Sequence, residues 1–186
     1  MIEKELVTTQ TEVWRDSHHT HRYVFKRQWA IKGKEAEEKL AVVITIRPTD
    51  TEPFTNDLSM LLIEKNIRQL GFTGFIAVNL FSYTKAKSPR VFPRGNDEQS
   101  LEILTTVFTE KKINTIIFAC GSITATSQVA YEQAKTIYDQ LSAKQKKMTK
   151  VLINAEGKLS HPLSIHVRNF FFSSRRRHTI LQGDWS

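Results

Sequence analysis

Cysteine is nearly absent: Cys120 stands alone in 186 residues. A single thiol excludes an internal disulfide framework, and a reducing cytoplasm is the compartment this usage suggests. It also excludes a paired CxxC site, and HExxH is missing, so no metal is expected. Seven glycines and five prolines leave no low-complexity linker. There is no GxxxxGK[ST] phosphate loop, no GxGxxG after a strand and no GxSxG elbow. No cofactor motif remains, and none is expected. No apolar run approaches the roughly 20 residues of a membrane span. The start, MIEKELVTTQTEVW, lacks the basic and apolar regions of a secretory signal.

What is present in excess is positive charge. Lys and Arg number 27 against 19 Asp and Glu, for a net charge of +8 and a pI near 9.6. That balance suits a phosphate-bearing partner such as nucleic acid, and equally an ordinary soluble surface. Part of it is set aside. The stretch SSRRRHTILQGDWS at the end, with the Phe170-Phe171-Phe172 run before it, has no apolar period. It reads as a translated sequencing adapter, so residues 170–186 are expected to be a non-native tail. Without its three arginines and one aspartate the net charge is +6.

Hydrophobic residues make up 40% of the chain, enough for one domain with a real core. Residues 1–21 are polar and read as irregular; His18, His19 and His21 cluster there without a second group of metal ligands. Residues 22–29 (RYVFKRQW) alternate and predict an antiparallel or edge strand, with Tyr23 and Phe25 on one face and Val24 and Lys26 on the other. Gly33 lies in a turn, which makes a hairpin with the next strand plausible. Residues 40–46 are a nearly continuous apolar run, as in a strand buried on both faces, and Pro48 ends it. Further strands are expected at 75–80, 113–119 and 150–154. Helices are expected at 57–70, capped by Asn56 or Asp57 and stopped by Gly71, at 96–110, capped by Asn96, and at 125–141. Residues 144–150 read as a basic turn. Strand and helix alternate, which predicts a single α/β domain at 22–169. The expected fold is a three-layer α/β/α sandwich: a mostly parallel sheet of about four strands plus an N-terminal edge strand.

In open parallel sheets, ligands bind outside the carboxyl ends of the strands. The unusual polar residues of this chain stand there. Arg47, Thr49 and Asp50 follow the first central strand. Asn79 ends the second, Gly121 and Ser122 follow the third, and His161 follows the fourth. Asp57 and Ser59 bring a helix N-terminus to the same rim, which suits an anion. Arg47 is a phosphate ligand or a solvated charge. His161 can act as acid, base or donor, or simply sit in a turn. Asn79 can read an amide edge or satisfy a backbone group. The long loop at 81–95 carries Lys85, Lys87, Arg90 and Arg94, candidate phosphate contacts. Cys120, on an apolar strand, is a buried thiol rather than a nucleophile.

The segments RYVFKRQW, VVITIRPTD, NDLS, GFTGFIAVNLFSYTKAKSP, GNDEQSL, ACGS and HPL, in this order from Arg22 to Leu163, resemble the bacterial and phage family called domain of unknown function 1643. VNLF with a following Ser-Pro, and HPL, are the most specific pieces. That family is commonly written with Asn-Pro-Ser where this chain has Arg47-Pro48-Thr49. The layout also resembles, more remotely, the uracil-DNA glycosylase superfamily. That resemblance implies a base read by Asn79, charge on the base stabilised by His161, and water positioned by the loop 47–50, with Asp50 as the carboxylate. It would make any reaction hydrolysis of an N-glycosidic bond.

Three functions stay open. One is a nucleic-acid or nucleobase protein with a glycosylase-like pocket, with Phe81 or Tyr83 as stacking surfaces. The second is an enzyme or binder for a nucleotide or phosphorylated metabolite. The third is a non-enzymatic interaction module.

Overall fold

The structure is a computed structural model that describes residues 2, 4–33, 36–49, 57–85, 95–154 and 156–164. Six strands form one sheet: β1 (Val7–Arg15), β2 (Arg22–Ile31), β3 (Leu40–Thr45), β4 (Gly74–Asn79), β5 (Ile113–Phe118) and β6 (Thr149–Val151). Their order is β1-β2-β4-β3-β5-β6. The four expected parallel strands are present, with β4, β3, β5 and β6 side by side. The sheet as a whole is mixed, because the N-terminal chain adds two antiparallel strands rather than one.

β3 forms the centre because every one of its residues is buried. Leu40, Val42 and Ile44 enter one apolar cluster, and Ala41 and Val43 the other. Fully burying a side chain such as Ile44 is worth about 1.5–3 kcal/mol, so a strand with two buried faces belongs inside. Helix α1 (Leu58–Gln69) covers one face through Met60, Ile63 and Ile67. Helices α2 (Gln99–Phe108) and α4 (Gln128–Asp139) cover the other, through Leu104, Val107, Phe108, Ala130, Ala134 and Ile137. Two short helices, α3 (Ile123–Thr126) and α5 (Ala143–Lys147), complete the described set. Among the described residues no helix is long and apolar enough to cross a membrane.

Several local expectations are corrected. The N-terminal segment is not irregular: it holds β1, the outer strand of the sheet. Edge strands carry polar residues, so the Thr- and Gln-rich run conceals its strand character. β2 does not form a hairpin with β3. Both edges of β3 are already occupied by β4 and β5, so β2 pairs with β1 and adds to the free edge of β4. The expected helix at 125–141 is split at Ser127, whose extended backbone (φ −127°, ψ 114°) starts α4 and whose hydroxyl accepts the Ala130 N–H. The basic turn contains α5, nucleated by a capping box between Ser142 and Gln145. Asn96 does not cap α2. Its amide accepts from the Ser82 N–H and donates to the Leu80 carbonyl, and Asp97 Oδ1 receives the Ser100 N–H instead.

The most consequential correction lies in β2. Val24 pairs with Trp14 and Arg22 with Arg15, leaving Tyr23 as an extra residue opposite β1. A bulge of this kind breaks the two-residue alternation and re-aims a side chain. Tyr23 therefore joins Val24 in the cluster under α2, while Phe25 packs under α1. Arg22, one residue beyond the bulge, turns to the α1 side, where its guanidinium stands 5.7 Å from the centre of the Phe25 ring.

Candidate functional site

The chain leaves β3 towards β4 through α1 and reaches β5, on the other side of β3, through α2. The C-terminal end of β3 is thus the point where the strand order reverses, the place where open α/β sheets bind ligands. A cleft of about 210 Å³ opens there, lined by Arg22, Thr45, Ile46, Arg47, Thr49, Asp57, Ser59, Met60, His161 and Leu163. Asp57 builds its mouth as the N-cap of α1. One carboxylate oxygen takes the Met60 N–H at 2.9 Å, and the other takes the Thr49 hydroxyl. The loop after β3 is thereby tied to the start of α1.

Arg22 supplies the cleft's buried charge. The residue is 3% exposed, and among the described residues its guanidinium makes no hydrogen bond or ion pair. Burial pushes its pKa down to about 10; the Asp57 charge opposes that fall and neighbouring Arg15 adds to it. The group stays cationic at neutral pH. Arginines this buried are nearly always paired, because an uncompensated charge out of water is costly. Arg47, by contrast, is exposed at the rim.

His161 also lines the cleft. Burial lowers its pKa below the ordinary histidine value, an effect that the Asp57 charge partly offsets. Its Nδ1 accepts the Leu163 N–H at 3.2 Å. A neutral ring that accepts at Nδ1 carries its proton on Nε2, so His161 is a neutral donor. Gly121 holds the histidine in place: its N–H donates to the Ser160 carbonyl at 3.0 Å. Its φ is +70°, and a Cβ there would lie 3.2 Å from His161 Cβ. Gly121 is thus a support for His161 rather than a residue of the cleft wall.

Among the curated proteins, none matches this chain. A solved structure of a hypothetical protein from Pseudomonas aeruginosa aligns with 10% identity and a TM-score of 0.29, covering 80% of this chain and 57% of that one. At that score it carries no argument. A family profile described as "Protein of unknown function (DUF1643)" matches residues 22–163. The chain belongs to this family.

In this DUF1643 protein the structure brings five of the expected residues into one cleft: Arg47, Thr49, Asp57, Ser59 and His161. Asn79 is not on the wall. It is buried, its Nδ2 donating at 2.6 Å to Oγ1 of Thr45, which does line the cleft. Ser122 is exposed at the start of α3 and outside the cleft, and Lys85 is exposed at the start of its loop. Asp50, Lys87, Arg90 and Arg94 lie outside the described residues.

A second polar group of the DUF1643 chain sits on the α2 side of the sheet. Ser100 Oγ donates to Asp97 Oδ1 at 2.8 Å, the Ser82 and Ser100 hydroxyls are 2.8 Å apart, and His21 Nδ1 lies 2.7 Å from Ser82 Oγ. Tyr23 donates to the other Asp97 oxygen, and burial together with that bond pushes the phenol pKa up. Phe81 is buried in the core, while Tyr83 is partly exposed and tilted against the His21 ring at 5.4 Å. Among the described residues no group of histidine, cysteine and carboxylates could hold a metal ion.

Sequence reasoning missed Arg22, Thr45, Ile46, Met60 and Leu163. The bulge at Tyr23 puts Arg22 on the face opposite to the one a simple alternation along β2 would give. The signal available was its position, as the first residue of the first family-like segment.

Proposed function

We propose that this protein binds a phosphate-bearing small molecule, a nucleotide or phosphorylated metabolite, in the cleft at the end of β3. The observation that carries this reading is Arg22: a guanidinium at 3% exposure, lining a cleft, with no anion bonded to it among the described residues. An anion entering the cleft would supply the missing partner, and charge-assisted hydrogen bonds are the strong ones. Arg47 at the rim and the first turn of α1 add positive potential on either side. A thermal-shift screen with mononucleotides and sugar phosphates at low salt tests it. Stabilisation that disappears in Arg22→Gln supports the reading. Unchanged melting with every phosphorylated compound rejects it.

One observation favours a second reading, a nucleobase pocket on a uracil-DNA glycosylase-like sandwich. His161 presents a neutral Nε2–H donor, the form suited to stabilising charge that develops on a base carbonyl. Asn79 would then act through Thr45 rather than by reading the base itself. Base release from an oligonucleotide panel, lost in His161→Ala, would establish this reading over the first. An intact cleft whose Asn79→Ala and His161→Ala variants lose no measurable function would favour an interaction module instead.

A further inference from the structure

We propose that the cleft recognises a terminal phosphate, a phosphomonoester carried at the end of its ligand, and excludes phosphodiesters. This rests on the phosphate reading above and narrows it to a substrate class. Three features of the cleft point the same way.

The first is size. At about 210 Å³ the cleft is below the roughly 300–1,000 Å³ of sites that enclose a drug-sized ligand. It has room for one compact group, with the rest of the ligand outside. The second is depth. Arg22 is 3% exposed, so a group that reaches it must enter the cleft fully. A phosphomonoester has one ester arm and can enter end-on. A phosphodiester has two arms, and both would have to leave through the same mouth.

The third is the charge of the lining. The described walls carry two cations, Arg22 and Arg47, one carboxylate, Asp57, and the Nε2–H of His161. Each Asp57 oxygen already accepts one hydrogen bond, from Met60 N–H or from the Thr49 hydroxyl. A carboxylate has about four acceptor sites, so capacity remains. A phosphomonoester loses its second proton only near pH 6; Asp57 favours keeping that proton and the two arginines oppose it, so the monoanion is the form bound towards acid pH. Its monoanion can accept from Arg22 and His161 while donating its P–OH to Asp57. A diester has no proton to give, and meets Asp57 as one anion meets another. The mixed lining thus matches an end group that both accepts and donates.

The test is calorimetric titration of the full chain with methyl phosphate and with dimethyl phosphate. It is repeated with a short oligonucleotide bearing a 5′-phosphate and the same oligonucleotide with a 5′-hydroxyl. Methyl phosphate is expected to bind at least tenfold more tightly than dimethyl phosphate, and the 5′-phosphate form more tightly than the 5′-hydroxyl form. Both preferences should vanish in Arg22→Gln. If that variant does not fold, Ser59→Glu, which adds an anion at the mouth, is expected to abolish binding in its place. Equal or tighter binding of dimethyl phosphate, lost in the same variants, overturns the end-group inference and leaves the phosphate reading standing. Binding that survives both variants, or no binding of any of the four probes, overturns both.

Discussion

Arg22 is a residue whose cost is visible in the fold. Among the described residues, a guanidinium removed from water gains only the distant field of Asp57 and the face of Phe25 in return. Removing a buried charge whose partner is absent often stabilises a protein, and functional residues commonly carry this kind of penalty. Arg22→Met is therefore expected to raise the unfolding free energy of the ligand-free protein by about 1 kcal/mol. The same variant should lose the thermal shift produced by phosphate compounds. Urea denaturation measures the first effect, and a marked loss of stability would mean that Arg22 is a structural residue instead. His161 makes a prediction in pH. Its folded ring binds a proton less tightly than the unfolded ring does. Below the unfolded value of about 6.5 the unfolded chain therefore takes up the extra proton. The stability that His161 contributes is complete above that value and is lost as pH falls towards the folded one. Unfolding curves between pH 7.5 and 5 should show this slope, and His161→Gln should flatten it.

At the scale of elements, what was legible in the sequence follows burial. β3, β4 and β5 are buried on both faces over nearly their whole length, and an apolar run with a sharp polar end announces each of them. Their ends carry Arg47 and Asn79, so the rim could be located before any side chain was placed. β1 was not legible, because an edge strand exposed along most of its length has no apolar period to read. The bulge at Tyr23 was not legible either, since one extra residue reverses the face of everything before it and leaves no mark in composition. That reversal puts Arg22 on the face opposite to the one simple alternation gives. The seam between β2, β3 and β4 has its own test. At Gly74 an added Cβ would lie 2.7 Å from the Arg27 carbonyl oxygen and 2.8 Å from Leu40 Cδ2. Gly74 pairs with both Gln28 and Leu40, so neither neighbour can withdraw without opening a ladder. Gly74→Ala is expected to cost roughly 2–4 kcal/mol, read from the shift in urea midpoint. A cost near zero would show that the β2–β4 seam yields easily.

The whole molecule divides by the kind of force that holds its parts. The parallel strands are held chiefly by the two apolar clusters between the helical layers. The β1–β2 hairpin joins that core through the β2–β4 ladder and through Tyr23, Val24 and Phe25, and carboxylates add a second set of attachments. Glu64 of α1 takes Arg27 of β2 at 3.0 Å, Asp97 at the start of α2 takes the Tyr23 hydroxyl, and Asp16 closes the hairpin turn on His21 N–H and Thr20. At each of the three, burial works against ionisation. The hydrogen bonds and nearby cations outweigh it and hold the pKa below the ordinary values of 3.8 for Asp and 4.5 for Glu. A carboxylate with a lowered folded pKa contributes stability that is present above its unfolded pKa and is lost as pH falls through the folded one. All three therefore weaken together below about pH 4, and all three act on the hairpin. The apolar clusters contain no such group. Acid should thus release the hairpin before it melts the parallel core, as a local opening rather than a global one. Hydrogen exchange at decreasing pH, corrected for intrinsic rates, would show this as loss of protection in β1 and β2 while β3 and β5 remain protected. Because Arg22 sits on β2, the same acid opening should remove phosphate binding before the core unfolds. Simultaneous loss of protection in all six strands would mean that the hairpin and the core are one cooperative unit.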